Sequence, residues 1–228
     1  MLKYNSLFKI LRLRECMAST ADKLISQITQ EISTGRLRPG DQLEEAVLAE
    51  KFGVSRTPIR EAIRAMVGLG LLEKRPRKGS IVRVLKPKEL LDLFEVAAGL
   101  EGMACRLAAS SLTEEHAQAI KNRLEICSSV AKSNDKVKYS IANLEFHAAI
   151  HAATDNHWLI EQLRNIGLHI NPYRTLPYDI RERLSKSTEE HAIICEAILS
   201  GEGNKASELM RDHMLLQGKR LTSVLKLL

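Results

Sequence analysis

The sequence is poor in the residues that build sheets and loops. Aromatic side chains make up 4% of its 228 residues, with a single Trp, and it holds only 12 Gly and 6 Pro. That balance argues against a β-rich or low-complexity chain and favours a mostly helical one. No run of roughly 18 uninterrupted apolar residues occurs, which excludes a membrane-spanning helix. The four cysteines, Cys16, Cys105, Cys127 and Cys195, show no CxxC spacing. They read as free thiols and small buried apolar residues in a reducing cytoplasm, not as a disulfide frame or a thiolate metal site. The segment 1–16 looks basic and hydrophobic, yet Lys9, Arg12 and Arg14 interrupt it short of a signal peptide, so a cytoplasmic location is expected. Gly-rich phosphate loops, Ser/His/Asp motifs and HExxH are also missing, so the usual enzymatic signatures are absent.

What is present divides the chain in two. Hydrophobic residues reach 44% and charged residues 27%, an ordinary globular composition, and the length suits two domains of roughly 100 residues each. Residues 1–88 carry 18 Lys+Arg against 9 Asp+Glu, a balance of +9, whereas residues 89–228 carry 16 against 19, a balance of −3. Concentrated positive charge on a small unit is the footprint of a module that neutralises phosphates. All seven histidines fall in the other half, which suggests metal or anion chemistry there.

In the basic half, Ser19 with Asp22 gives an N-terminal cap pattern for a helix whose Leu24, Ile25, Ile28 and Ile32 repeat at helical spacing. Pro39-Gly40 then breaks the chain. A second helix over 44–52 carries Val47, Leu48 and Phe52 on one side and ends at Gly53, which tolerates a left-handed backbone. Ser55 as N-cap and Pro58 in the first turn start a third helix at Arg56. Ile59, Ile63, Met66 and Val67 form its buried stripe, leaving Arg56, Thr57, Arg60 and Arg64 pointing outward. Two short helices around a Gly-containing turn make a helix-turn-helix. Leu71–Arg75 and Ser80–Val84 around Pro76-Arg77-Lys78-Gly79 read as a β-hairpin with a basic tip, the wing of a winged helix.

These residues carry a family resemblance. The runs Arg38-Pro39-Gly40-Asp41-Gln42-Leu43, Leu48-Ala49-Glu50, Gly53-Val54-Ser55-Arg56-Thr57-Pro58-Ile59-Arg60-Glu61-Ala62 and Gly68-Leu69-Gly70-Leu71-Leu72 resemble the DNA-binding domain of the GntR family of bacterial transcription regulators. The resemblance implies that Arg56 and Arg60 read guanine edges in the major groove, that Thr57 helps, and that Gly79 at the wing tip approaches the minor groove. Arg64, Arg77 and Lys78 complete the expected DNA-binding set. Ala46 stands where the family usually has an Arg, so one expected contact is missing.

The second half reads as an all-helical bundle over about 88–111, 114–132, 136–153, 156–168, 181–200 and 202–225, with a loop at Asn171-Pro172 and Leu176-Pro177. Thr113 with Glu115, and Ser187 with Glu190, give start or first-turn signals. Asn143 and His147 share a helical face at i,i+4, and His191 and His213 sit on two further helices. Three neutral imidazoles and an oxygen suit a divalent metal such as Zn, Ni, Mn or Fe. The segments Asn143-Leu144-Glu145-Phe146-His147, Ser187-Thr188-Glu189-Glu190-His191 and Ala206 to His213 resemble the ligand-binding FCD domain of the FadR-type branch of the same family. The resemblance implies a divalent metal on an Asp and three His, with a small carboxylate effector completing its shell. His147, His191 and His213 match, whereas Asn143 replaces the Asp and removes a charge. An Arg that pairs with effector carboxylate is replaced by Ala97. His151 and His169 lie outside the motif, as surface or cavity-lining residues.

The expectation is therefore a mainly α protein: a winged helix-turn-helix at 17–88 and an all-α, FCD-like effector-binding and dimerisation bundle at 89–228, hinged around Lys86-Pro87-Lys88. Residues 1–16 read either as a basic amphipathic extension or as sequence upstream of a start at Met17. The protein would bind a double-stranded DNA operator as a homodimer, because one short recognition helix makes few contacts. A small-molecule effector would control it by binding two domain arrangements unequally. The rivals are a metal-dependent enzyme fused to a DNA-binding module and an architectural DNA protein. Glu145 lies off the Asn143–His147 face, which disfavours the first, and four interior polar groups that need partners disfavour the second.

Overall fold

A computed structural model describes residues 19–76, 79–174 and 182–225, with side chains of the last helix described as far as Leu216. Segment 1–16, Cys16, the wing-tip residues Arg77 and Lys78, and Leu176-Pro177 lie outside the described residues. Two compact units emerge, one of residues up to 32 with 39–84, the other of 33–38 with 85–228.

The first unit begins with α1 (Thr20–Ser33). Ser19 Oγ accepts from the Asp22 N–H while the Asp22 carboxylate accepts from the Ser19 N–H, a reciprocal cap. Leu24, Ile28 and Ile32 bury one face. The strand β1 (Gln42–Leu43) leads to α2 (Glu45–Phe52) and α3 (Arg56–Gly68). Strands β2 (Leu72–Arg75) and β3 (Gly79–Val82) form the antiparallel hairpin, and the sheet order is β1-β3-β2 with Leu43 opposite Ser80. Gly79, at φ 71°, lets the chain re-enter β3 in a left-handed conformation that a side chain would strain. Strand β1 escapes sequence reading because two residues carry no periodicity. Val47, expected inside with Leu48, is 57% exposed, so α2 buries a narrower stripe than its pattern suggested.

The second unit is a bundle of α4 (Pro87–Ser110), α5 (Glu114–Ser133), α6 (Lys136–Ala152), α7 (His157–Arg174), α8 (Arg183–Leu199) and α9 (Gly203–Leu225). Glu89 accepts from the Lys86 N–H, Thr113 from the His116 N–H and Asp135 from the Lys138 N–H, which fixes three helix starts. Helix α4 packs along α9. A Cβ on Gly102 would meet the Ser207 carbonyl oxygen at 2.9 Å, so the absence of a side chain permits this close approach. One sequence expectation fails here. Asn171-Pro172 does not open a loop: α7 continues through Pro172 to Arg174, its last turn held by burial of Ile170, Tyr173 and Arg174. The Tyr173 hydroxyl accepts from the Leu85 N–H at 2.7 Å, and this tertiary anchoring overrides the breaker. Helix α8, expected over about 181–200, runs from Arg183 to Leu199 with Ser187 fully buried a turn inside it. Among the described residues, no helix is long and apolar enough to cross a membrane.

Candidate functional site

In the first unit α3 buries Ile59, Ala62, Ile63 and Met66. Arg56, Arg60 and Arg64, spaced by four, therefore share the opposite, exposed face, with Thr57 beside them. Arg60 Nε donates to Glu45 Oε2 of α2 at 2.6 Å. Glu45 adjoins Ala46, so the helix position that lacks the expected Arg has a carboxylate beside it. Gly79 is exposed at the edge of the hairpin.

In the second unit the bundle gathers a polar cluster at its centre. Helix α6 carries Asn143 and His147, α8 carries His191 and α9 carries His213, all buried. One ring nitrogen from each of the three imidazoles lies within 4.8 Å of the others. His191 Nε2 faces His213 Nε2 at 3.3 Å, and the His191 ring stacks on Phe146 with centroids 4.5 Å apart. Among the described residues, the buried atoms Asn143 Oδ1 and His147 Nε2 have no hydrogen-bond partner, an unusual cost for two polar groups one helical turn apart.

Carboxylates that sequence reading missed hold the imidazoles from behind. His147 Nδ1 donates to Glu101 Oε2 of α4 at 3.1 Å, and His151 Nε2 shares the same oxygen at 2.8 Å. His213 Nδ1 donates to Glu190 Oε2 of α8 at 2.5 Å. A carboxylate on Nδ1 fixes the proton there and leaves the Nε2 lone pair free. His191 can carry its proton on Nε2, toward His213, or on Nδ1, which faces Cys127 Sγ at 3.9 Å. The second tautomer frees a third Nε2 lone pair, facing that of His213. Each carboxylate is in turn paired with an arginine. Arg183 forks onto both oxygens of Glu190 at 3.1 Å, and Arg174 Nη2 lies 3.4 Å from Glu101 Oε1.

Burial and these partners set the protonation states. Burial lowers His147 to about 4 against the opposing pull of Glu101. Burial also lowers His191 and His213, the latter against Glu190. The three imidazoles are thus neutral at pH near 7. Burial pushes the Glu101 carboxyl up, but the His147 and His151 N–H groups outweigh it and hold the group well below its usual range. Burial is outweighed at Glu190 too, where His213 and Arg183 bring the carboxyl to about 2.

A cavity of about 410 Å³ opens beside the cluster, with Glu101, His147, His151, Arg164, Asn171 and Arg174 among its walls. His151 thus lines a cavity, whereas Ala97 is fully buried and offers no charge. Arg174, from the end of α7 that the sequence pattern assigns to a loop, places a guanidinium on the cavity wall. Glu145 lies apart, paired with Arg123 on the exposed surface at 2.7 Å.

The two halves match two known family patterns: residues 20–82 that of the bacterial regulatory proteins of the gntR family, and residues 92–216 that of the FCD domain. The chain is a GntR-family transcription regulator with an FCD domain. This GntR-family chain is 31% identical to a Paenarthrobacter nicotinovorans protein named "Probable D-xylose utilization operon transcriptional repressor", over 86% of both chains. It is 27% identical to the Escherichia coli (strain K12) HTH-type transcriptional repressor GlaR, over 82% of this chain and 89% of that one. Its fold matches that of E. coli McbR/YncC with a TM-score of 0.82 at 22% identity, covering 91% of this chain and 99% of that one. A GntR-type structure from Rhodococcus sp. RHA1 matches with a TM-score of 0.75 at 17% identity, covering 89% and 97%.

Proposed function

We propose that this regulator binds its operator as a homodimer in the cytoplasm and that a small anionic effector, held in the FCD bundle with a divalent metal, controls that binding. Arg56, Thr57, Arg60, Arg64 and Gly79, with Arg77 and Lys78 of the wing tip, would contact the DNA. Asn143, His147, His191 and His213 would hold the metal. The observation that carries the reading is that buried Asn143 Oδ1 and His147 Nε2, one helical turn apart, have no partner among the described residues, while His147 is gathered against the His191–His213 pair. Three imidazole nitrogens and one amide oxygen form a borderline donor set suited to Zn, Ni or Mn. When bound, the ion would supply positive charge and open positions for ligand oxygens.

The chain's own residues do the rest. Glu101 and Glu190 orient the His147 and His213 rings, Phe146 holds the His191 ring, and Arg174 presents positive charge at the cavity. Helix α4 leaves Val96 and Met103 exposed on one face with Gly99 between them, an apolar strip that favours a second copy of the chain as partner. We read the protein as a non-enzyme. Glu145 is tied to Arg123 at the surface and Glu101 to two imidazoles and Arg174, so neither is free to act as a general base.

The test is elemental analysis of the purified protein beside His147→Ala, followed by operator binding before and after chelation. About one divalent ion per chain, diminished in the variant, with operator affinity responding to effector only in the loaded protein, is expected. A protein that takes up no divalent ion on reconstitution would overturn the metal reading.

A further inference from the structure

The chain last passes from the first unit to the second between Val84 and Leu85. Backbone groups on either side of that step are tied, each within its own unit. The Arg83 N–H donates to the Leu71 carbonyl at 3.0 Å, and the Leu85 N–H donates to the Tyr173 hydroxyl at 2.7 Å. Val84 lies exposed between the two ties, and from Lys86 onward the chain is fixed as the start of α4. Leu85 and Tyr173 both belong to the buried core of the bundle. A buried N–H that loses its acceptor pays the full desolvation cost of that group, so the Leu85 amide follows the hydroxyl that answers it.

The turn of α7 that carries Tyr173 also borders the cavity, with Ile170, Asn171 and Arg174 among the walls. Arg174 Nη2 lies 3.4 Å from Glu101 Oε1, and Glu101 Oε2 accepts from His147 Nδ1 at 3.1 Å. A continuous chain of buried groups thus runs from His147 through Glu101 and Arg174 to the adjoining Tyr173 and on to the Leu85 amide. Pro172 makes this turn the pliable member of the chain. Having no N–H, it leaves the Leu168 carbonyl without its helical donor, so the turn is joined to the rest of α7 by one backbone bond fewer. Side-chain anchors hold it instead, and two of them, Arg174 and Tyr173, lead to opposite ends of the chain.

We infer that Tyr173 is the positioning residue through which loading of the bundle reaches the linker, its hydroxyl carrying the Leu85 amide along when the last turn of α7 shifts. The inference rests on the metal reading above and adds the route of control to it. A ligand controls operator binding only if it favours one of two arrangements of the chain. The arrangement at stake here is that of residues 171–174 together with Leu85.

The test compares the native chain with Tyr173→Phe, which keeps the buried ring and removes the hydroxyl. Full-length protein of each kind is prepared zinc-loaded and chelated, with metal content measured on the same samples. Affinity for an operator duplex, selected by the native protein from a random pool, is read by anisotropy. In native protein the two forms are expected to differ at least about fivefold in operator affinity, the lower end of ordinary coupling between sites. In Tyr173→Phe the zinc content should stay the same, and the ratio of the two affinities should fall to within about twofold of one. A purely structural loss lowers both affinities together and keeps their ratio. An unchanged ratio in the variant therefore overturns the inference and leaves the metal reading standing. Native protein that holds zinc yet binds the duplex equally well in both forms also overturns the inference. A sample that takes up no zinc overturns the metal reading and the inference with it. Should the variant not fold, amide exchange of the native protein decides: peptides covering residues 83–86 must change their exchange at least about threefold between the two forms, and equal exchange there overturns the route through Tyr173.

Discussion

Two arginines of this regulator look alike on paper and behave oppositely. Arg60 of the DNA-binding unit meets Glu45 at 2.6 Å, and Arg174 of the FCD bundle meets Glu101 at 3.4 Å. Distance alone would rank the first pair as the stronger. Exposure reverses the order: the Arg60 and Glu45 side chains are 56% and 39% exposed, whereas those of Arg174 and Glu101 are 4% and 5% exposed. An exposed pair is screened and contributes about 0–1 kcal/mol, whereas stripping one partner from a buried pair costs about 3–5 kcal/mol. The N-terminal unit keeps its charge in water, ready to exchange partners with phosphates and bases. The C-terminal unit puts charge inside, where it must be answered by fixed groups or by a ligand.

The largest expected effect attacks the buried side of this contrast. Glu101→Ala removes the acceptor shared by His147, His151 and Arg174 and leaves a buried guanidinium unanswered. The metal-free protein should lose about 3–5 kcal/mol of stability in urea unfolding. Glu45→Ala should change the same measurement by less than about 1 kcal/mol. A loss at Glu101 as small as that at Glu45 would mean that the interior groups are hydrated and the contrast is false.

Acid should separate the two units next. Buried His147 has its pKa lowered to about 4, and His191 and His213 are lowered too, while an unfolded imidazole titrates near ~6.5. In that window the unfolded chain binds more protons than the folded one. The stability these groups contribute is therefore fully present above about pH 6.5 and is lost as pH falls toward 4, by up to ~1.4 kcal/mol per pH unit for each imidazole. The lowered carboxyls of Glu101 and Glu190 lose their contribution in the same direction, at still lower pH. Residues 1–88 contain no histidine. Amide hydrogen exchange of chelated protein at about pH 7 and pH 5.5, corrected for intrinsic rates, should show protection falling in α6, α8 and α9 and persisting in α1 and α3. Equal loss in both units would remove histidine titration as the cause.

What was legible in the sequence follows the same division. Surface function is written locally: the Arg56-Thr57-Pro58-Ile59-Arg60 run shows both the helix start and the outward arginines, because a helical stripe leaves the remaining faces to solvent. The imidazoles were legible as a set, since Asn143 and His147 share a face and His191 and His213 match the family pattern. Their partners were not. Glu101 did leave a signal, a carboxylate in step with the buried stripe of Phe94, Ala97, Ala98, Ala104, Cys105 and Ala108. A charge on an apolar face asks for an interior partner, and that question leads to His147. Arg183 and Glu190 fall on the buried side of α8 in a similar way. Arg174 left no such trace, because Asn171-Pro172 reads locally as a breaker and only the burial of Tyr173 and its hydrogen bond to Leu85 keep the helix going.

The smallest effect asks whether the exposed pair does anything. Bidentate contact of an arginine with guanine is worth about 1–3 kcal/mol of discrimination, so Arg60→Ala should weaken operator binding by that amount and relax base preference. With Arg60 reading DNA as proposed, Glu45 competes for the same guanidinium, and binding must first break a pair worth under about 1 kcal/mol. Glu45→Gln should therefore tighten operator binding by less than that. The double variant separates two causes in an anisotropy titration. If Glu45 acts by holding Arg60, its removal gains nothing once Arg60 is gone. If the gain survives in the Arg60→Ala background, Glu45 acts on the phosphates directly, and the carboxylate beside Ala46 is a general brake on DNA affinity rather than a latch on one reading residue.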